Sequence, residues 1–576
     1  MSAAAEWDES TRLVDLLLAE DRRPTAVDEF SAYHDTLEHD RSSYEALLPT
    51  SMPGDDQQYG FRVDLDACTG CKACVTACHS LNGLEEGESW RRVGLLESEA
   101  KTGAIARPQT VTAACHHCEE PGCMAGCPVR AYDKDPVTGV VHHLDDQCIG
   151  CRYCQLMCPY DVPQYSERLG IVRKCDMCRG RLAEGEAPAC VQGCPNGAIS
   201  IALVETTSPS PETTMLDVAT GTMPSSALTR PSTRYVTARE TNREEGERAA
   251  ADLVELRPAE AHTPLAVMLV LTQAAIGATL LDALGTTFGA RLGFDPAVGA
   301  VVMAIGAVLG LTGLAASIFH LGRPQWAFRA VLGLRTSWMS REIVALGAYS
   351  GLLVASTGLA VLLALAPAAW LESMPWLASA RTATAWAATA AGALGLTCST
   401  LLYAVTGRPL WRADRTAIRF VGTTISLGLA ISLVALEGAQ IFGATAVAPL
   451  LPAIALIATT FARLSNESGR LIHTEDEAEA VALARSRALL GGDLASLRTT
   501  RIATLIGSGI VVPSIVLVLA LLAPASAGLA LVLAIVGLAT AAVSEFCERS
   551  LFFRAEAMPS MPGAAMHITM ETRRAA

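Results

Sequence analysis

Lysine is missing from the second half of this chain. None occurs after residue 263, and histidine is almost as scarce, with only His320, His473 and His567 beyond residue 262. A haem held between helices needs paired axial histidines inside the spans; only His320 ends an apolar run, so a transmembrane haem is excluded. An ion-translocating module needs a connected chain of intramembrane carboxylates or lysines. Without lysine, that leaves Asp282, Glu437 and Glu545 near the ends of apolar runs. The N-terminal residues contain nothing like a secretory signal, and Arg22-Arg23 is a lone pair in an acidic stretch, so neither export nor the disulfides of a secreted domain are expected. A formal net charge of -14 gives no reason to expect a nucleic-acid partner.

What the chain has is cysteine, concentrated in one region. Sixteen of its 18 cysteines precede residue 195 in four groups: Cys68-x2-Cys71-x2-Cys74-x3-Cys78, Cys115-x2-Cys118-x4-Cys123-x3-Cys127, Cys148-x2-Cys151-x2-Cys154-x3-Cys158 and Cys175-x2-Cys178-x11-Cys190-x3-Cys194. Pro128, Pro159 and Pro195 follow the last cysteine of three groups, and His79 follows that of the first. Closely spaced cysteines on a tight loop reach different irons of one cubane, while the last cysteine of the group points to a neighbouring cluster. Four thiolates per [4Fe-4S] cluster divide sixteen cysteines into four clusters with none left over. Zinc accepts Cys-x2-Cys pairs but does not call for triplets closing in Cys-x3-Cys-Pro. Identical Cys-x-Gly-Cys-x-x-Cys frames around Gly70 and Gly150, with Asp66 and Asp146 two residues ahead, mark an internal repeat. The expectation over residues 59–202 is an α+β polyferredoxin domain of two ferredoxin-like repeats. Cys398 and Cys547 lie in apolar stretches and read as buried hydrophobes.

With 51% hydrophobic residues and a mean hydropathy of +0.33, the chain is too apolar to be only a soluble ferredoxin. Apolar runs near 265–285, 296–319, 341–365, 382–404, 419–436, 445–462, 502–523 and 526–546 predict an all-α bundle of eight transmembrane helices within residues 263–565, with a tail over 566–576. Only the turn around Pro524 separates the last two, so seven is the alternative count. Residues 203–262, rich in Ser, Thr, Pro and Glu, read as a linker. Residues 1–58 carry 14 acidic and 4 basic residues and form an acidic extension, with two short amphipathic helices near Leu13–Leu18 and Ala26–Phe30 as a docking element.

Eight spans put both termini on one side, together with the loops after spans two, four and six. The first of these loops holds Arg323, Arg329, Arg335 and Arg341, and the second Arg408, Arg412, Arg415 and Arg419, whereas the opposite loops carry only Arg291 and Arg381. By the positive-inside rule this is a multi-pass protein of the inner (cytoplasmic) membrane with its cluster domain facing the cytoplasm. The same arginines would equally suit an interface with an acidic cluster domain. Without haem, electrons must exchange with a lipid-soluble carrier near that surface, and quinone, as menaquinone or ubiquinone, is the obvious one. His320-Leu321-Gly322-Arg323-Pro324 closes span two, Ser340-Arg341-Glu342 opens span three, and Glu545 closes span eight on the same side. His320, Arg323, Arg341 and Glu545 are therefore the candidate quinone-binding residues, since ionisable groups at membrane depth are costly and a histidine or carboxylate can move the two protons that quinone chemistry requires. Gln273 in span one is a further candidate for a quinone carbonyl.

These motifs carry a resemblance. Residues 59–201 resemble the four-cluster iron-sulfur electron-transfer subunit of the dimethyl sulfoxide reductase family of molybdoenzymes, and residues 263–565, through His-Leu-Gly-Arg-Pro, Ser-Arg-Glu-Ile and the closing Glu545–Phe553 stretch, resemble its eight-helix membrane anchor. The sequence looks like the two fused. The resemblance implies cross-ligation of the clusters: Cys68, Cys71, Cys74 with Cys194; Cys175, Cys178, Cys190 with Cys78; Cys115, Cys118, Cys123 with Cys158; and Cys148, Cys151, Cys154 with Cys127. It further implies a menaquinol site at His320 and a separate molybdopterin-containing catalytic subunit, because no part of this chain has the size or type to be one. The implied role is that of a non-catalytic electron-transfer and anchor subunit working in anaerobic respiration, of S/N-oxide reductase type or of the cytoplasm-facing, sulfite-oxidising type. Quinone is reduced or oxidised at the membrane half. A ferredoxin-quinone relay, or an ion-translocating module coupled to iron-sulfur redox chemistry, is the alternative.

Overall fold

The computed structural model describes residues 44–98, 108–206, 221–238, 248–292, 295–441, 450–470, 474–523 and 526–563, with isolated positions at 29, 32, 216, 218 and 219. The amphipathic helices expected within residues 1–58, and the tail over 566–576, lie outside these residues.

The cluster domain is built on short antiparallel pairs. Strand β1 (Gln57–Asp64) pairs with β8 (Ile199–Glu205), from Gln57 opposite Glu205 to Val63 opposite Ile199. Strands β2 (Arg92–Ser98) and β3 (Gln109–Ala113) form a second pair, and two hairpins, β4–β5 (Tyr132–Lys134 and Val141–His143) and β6–β7 (Gln164–Ser166 and Ile171–Arg173), complete the set. The helices carry the cysteines. In α1 (Ala73–Leu81) and α5 (Ala189–Gln192) the first and fourth groups pack together, and in α2 (Gly122–Gly126) and α3 (Tyr153–Met157) the second and third do; α4 is Arg179–Ala183. Both Cys-x-Gly-Cys loops turn through a left-handed glycine, with φ +71° at Gly70 and +67° at Gly150, and a left-handed residue, Lys72 or Arg152, then caps the helix.

The described parts of the segment expected as a linker join the sheets of the cluster domain. Strand β9 (Arg234–Val236) adds to β1 in parallel, and β10 (Arg248–Ala250) adds to β2. Several of its hydroxyls are buried: Ser232 donates to His116 O (2.7 Å), Thr233 Oγ1 lies 2.8 Å from His116 Nδ1, and Thr229 donates to Tyr160 (3.2 Å). A Ser/Thr/Pro-rich composition reads as solvent-facing, but here these groups satisfy the buried backbone and rings of the cluster domain.

The membrane half starts with α6 (Thr263–Leu292), α7 (Pro296–Ala316), α8 (Trp338–Leu365), α9 (Trp376–Ala404), α10 (Ala413–Ile441) and α11 (Leu450–Arg470). After α12 (Glu477–Gly491) come α13 (Ala495–Ile506), which runs through a π turn into α14 (Val512–Leu522), and α15 (Ala527–Arg554). Seven helices among the described residues are long and apolar enough to cross a membrane; the eighth expected span, α11, is apolar only over Leu450–Asn466. The last two expected spans are separate helices, Ala495–Leu522 and Ala527–Arg554, and the expected start of span six near 445 lies outside the described residues. Helices α6 and α10 cross at Gly277 and Gly428, where a Cβ on Gly277 would run into Thr424 O, a backbone approach that only small residues permit.

After α15 the polypeptide turns back onto the cluster domain. Met561 is buried in that domain's core, and Gly563 N donates to Asp252 (2.9 Å). The anchor expected over 263–565 therefore ends, for packing purposes, with a strap that belongs to the other half.

Candidate functional site

Fifteen of the sixteen cysteines are placed in four neighbourhoods. Cys74 has Cys68 and Cys194 as its nearest charged neighbours among the thiols. Cys78 stands with Cys175, Cys178 and Cys190, and Asn82 Nδ2 reaches both Cys78 Sγ (3.7 Å) and Cys178 Sγ (3.8 Å). Cys115, Cys118, Cys123 and Cys158 line one void, and Cys127, Cys148, Cys151 and Cys154 line another. Among the described residues no three His, Cys, Asp or Glu side chains converge on a single ion. Four cysteines around one void, as in these two sets, fit the ligand set of a [4Fe-4S] cluster. Burial and mutual repulsion push the Cys78 thiol up to about 12.

Two buried cations support this reading, and sequence reasoning missed both. Arg91 lies over the Phe61 ring (4.6 Å), and the charges acting on it are those of Cys190, Cys74, Cys175 and Cys78. Lys174 donates to Val141 O (2.5 Å) and Cys175 O (2.9 Å) and lies 3.6 Å from Cys115 Sγ. Burial works against its charge, yet Cys115, Cys123 and Cys175 hold its pKa above the ordinary lysine value. Buried charges need counter-charges, and here thiolates are what is at hand. Around the same void, burial and Arg91 push His116 down to about 3, leaving a neutral ring. The position of Lys174, next to Cys175, was the available signal; Arg91 had none.

The second and third cysteine groups dock on the membrane half, in part backbone against backbone. Arg323 N donates to Ile149 O (3.0 Å), and a Cβ on Gly150 would lie 2.9 Å from Gly322 N. Ser337 Oγ donates to Gly126 O (2.7 Å), Gly333 N to Pro128 O (2.8 Å) and Tyr153 OH to Leu402 O (2.6 Å).

A cavity of about 530 Å³ lies at this junction. Its wall brings together Cys151 of the third group, Tyr153, His262, His320, Glu342 and Tyr403. His320 Nδ1 hydrogen-bonds to Ser317 O, while its Nε2 is buried without a protein partner. Since a carbonyl only accepts, Nδ1 carries the proton and Nε2 presents a lone pair.

Of the four residues expected at a quinone, only His320 reaches this cavity. Arg323 donates to Asp145 O (2.8 Å) and Leu169 O (3.3 Å) and so holds the cluster domain. Arg341 stacks on Trp338 (4.2 Å) and caps the carbonyls of Leu334 and Arg335. Glu545 is saturated by Arg463 (2.5 and 2.8 Å) and Thr423 (2.6 Å) on a different face of the bundle. Gln273 accepts from Arg549 (2.7 Å) in the same network. A charge at the end of a span reads the same in sequence whether it anchors, docks or lines a site. Glu342, bonded to Ser399, and His262, just ahead of span one, are the residues the sequence reading passed over.

Residues 107–203 match the 4Fe-4S dicluster domain, and residues 259–554 match the DMSO reductase anchor subunit (DmsC), a span of more than half the chain. This protein belongs to the DMSO reductase anchor family. Its cluster half is 39% identical over 154 residues to the B chain of the anaerobic dimethyl sulfoxide reductase of Escherichia coli K12, covering 26% of this chain and 75% of that protein. The corresponding B chain of Haemophilus influenzae is 36% identical over 156 residues, 26% of this chain and 76% of its own. Hydrogenase-2 operon protein HybA of Escherichia coli O157:H7 is 37% identical over 169 residues, with 24% and 50% covered. This member of the DMSO reductase anchor family thus joins in one polypeptide an iron-sulfur electron-transfer subunit, like the dimethyl sulfoxide reductase B chains, and a multi-pass membrane anchor.

Proposed function

We propose that the protein wires a molybdopterin-containing catalytic subunit to the quinone pool, with four [4Fe-4S] clusters in the cytoplasm-facing domain and a quinone in the cavity at His320. The observation that carries this reading is the cavity itself, bounded by Cys151 on one side and His320 on the other. Bound clusters supply one-electron steps between the two ends. The ligand sets are Cys68, Cys71, Cys74, Cys194; Cys78, Cys175, Cys178, Cys190; Cys115, Cys118, Cys123, Cys158; and Cys127, Cys148, Cys151, Cys154. The last set lies against the membrane half, and Cys71, the exposed cysteine of the first set, marks the face that meets the catalytic partner.

At the quinone, His320 Nε2 accepts a proton from a quinol hydroxyl during oxidation and returns one during reduction. Ser317 O fixes the ring tautomer. Glu342 and His262 are the further proton-carrying groups on the wall, and Tyr403 and Met268 give it its apolar body. The dimethyl sulfoxide reductase relatives point to an S- or N-oxide as the partner's substrate, and the expected cytoplasmic orientation also fits sulfite as an electron source.

The test uses the complex purified from its native membrane in mild detergent. A molybdenum-containing large subunit is expected to copurify. Replacing His320 by leucine is expected to slow quinol-dependent cluster reduction by about 100-fold, the usual worth of a general base, while dithionite still reduces the clusters. Unchanged quinol turnover would remove His320 from the site.

A further inference from the structure

The cavity has a polar end and an apolar end. Arg152, Glu260 and His262 stand at the polar end, with Arg152 paired to Glu260 (3.1 Å). The apolar end is formed by the end of span two and the start of span three, and it is not closed. Phe319 is 82% exposed and Ile343 43% exposed, and both lie on membrane-spanning helices, where exposure means lipid. Gly347 lines the same edge, and a Cβ there would meet nothing within 4 Å. The opposite wall, Met268, Leu402 and Tyr403, is buried.

Helix α8 divides cleanly along this edge. Glu342 and Leu346 point inward and are buried, whereas Ile343 and Gly347, one turn apart, face the lipid side. On the water side, Arg329 stacks on Trp326 (4.0 Å), a pairing suited to headgroup level. Gly347 lies nine residues beyond Trp338, about 14 Å further into the bilayer at 1.5 Å per residue. A molecule whose head meets His320 thus has a path toward hydrocarbon along this edge.

We propose that the polyprenyl tail of the quinone passes sideways into the bilayer between spans two and three, through an opening edged by Phe319, Ile343 and Gly347. This rests on the quinone reading of the cavity and adds its route of entry and its discrimination by tail. A ring reaching the site from the membrane slides in ahead of its tail, so the opening must pass a flat ring and then hold a flexible tail. Gly347, lacking a side chain, supplies the width.

The test is made on the full-length protein with its partner in proteoliposomes. Gly347→Phe and Ile343→Trp narrow the opening without meeting the protein core. The KM for a long-tailed quinol is expected to rise at least about tenfold, the worth of a few lost apolar contacts, while a tailless naphthoquinol is used as before. His320→Leu in the same assay fails with both quinols. If both narrowed variants use the long-tailed quinol normally while His320→Leu does not, the route is wrong and the site is right. Equal losses with both quinols would also overturn the route, because the damage would lie at the ring. If His320→Leu turns over both quinols normally, the quinone reading itself falls.

Discussion

Lys174 is the residue whose replacement reports most directly on the clusters. The residue is 3% exposed, and the charges acting on its ammonium are those of Cys115, Cys123 and Cys175. Lys174→Met keeps most of the volume and removes the charge. A unit charge and one added electron interact by about 4 kcal/mol at 4 Å and an effective dielectric of about 20. An electron shared over a cluster bonded to Cys115 Sγ, itself 3.6 Å from Nζ, sits further off. At about 8 Å the interaction is about 2 kcal/mol, or about 90 mV for one electron. The cluster at Cys115, Cys118, Cys123 and Cys158 should therefore become harder to reduce by about that amount, while the outermost cluster at Cys68, Cys71, Cys74 and Cys194 keeps its potential. Redox titration followed by electron paramagnetic resonance separates the two, and the signal intensity shows whether every cluster is retained. With full intensity, a shift under about 20 mV would refute the claim that this lysine is held by cluster charge.

Anaerobic analysis of the intact protein should give about sixteen irons, four per cubane, and a value near eight would sink the four-cluster count. At the far end of the bundle, Arg381 pairs with Asp282 (2.5 Å) and Ser356 (3.2 Å), with both charges buried between spans. Arg381→Met leaves an uncompensated buried carboxylate, so the stability of the detergent-solubilised protein should fall by about 3–5 kcal/mol. The Asp282→Asn, Arg381→Met double variant should recover most of the loss in thermal unfolding, and failure to recover would mean that the pair is not the unit.

The parts of this protein legible in sequence are those fixed by short-range chemistry. Cysteine spacing is dictated by the geometry of a cubane, and Cys127 stands with Cys148, Cys151 and Cys154 around one void. Apolar runs locate the spans because length and hydropathy are local quantities. What sequence concealed was long-range packing. Ser232 and Thr233 look like linker residues until His116 is placed beside them, and Met561 looks like the end of the anchor until it enters the core of a domain more than 300 residues earlier. Span six is described only from Leu450, and its expected start near 445 lies outside the described residues. At the cavity, His320 stood out because histidine is rare in this half; Glu342 had equal access but sat inside a motif in which Arg341 drew the attention.

The arginines now admit a sharper test than their number suggested. Arg323 and Arg329 donate to Asp145 O and Asp146 O (both 2.8 Å), and Arg408 donates to Leu156 O (3.4 Å), all on the segment that carries the third cysteine group. An arginine needed for docking stands on the cluster side whichever way the membrane is entered, so part of the positive-inside signal is the interface itself. Replacing Arg323 and Arg329 together by glutamine should therefore loosen docking and leave the topology alone. Two charge-assisted bonds in half-exposed settings contribute about 1 kcal/mol each, so the docked state should weaken by roughly 30-fold. Protease should cut the exposed connections of the cluster domain faster, and electron transfer from quinol to the clusters should slow. A reporter fused after Ala576 should stay active in the cytoplasm. If that reporter instead moved to the periplasm with docking intact, the two arginines would be topology signals first, and their bonds to Asp145 and Asp146 a consequence of the side on which they were placed.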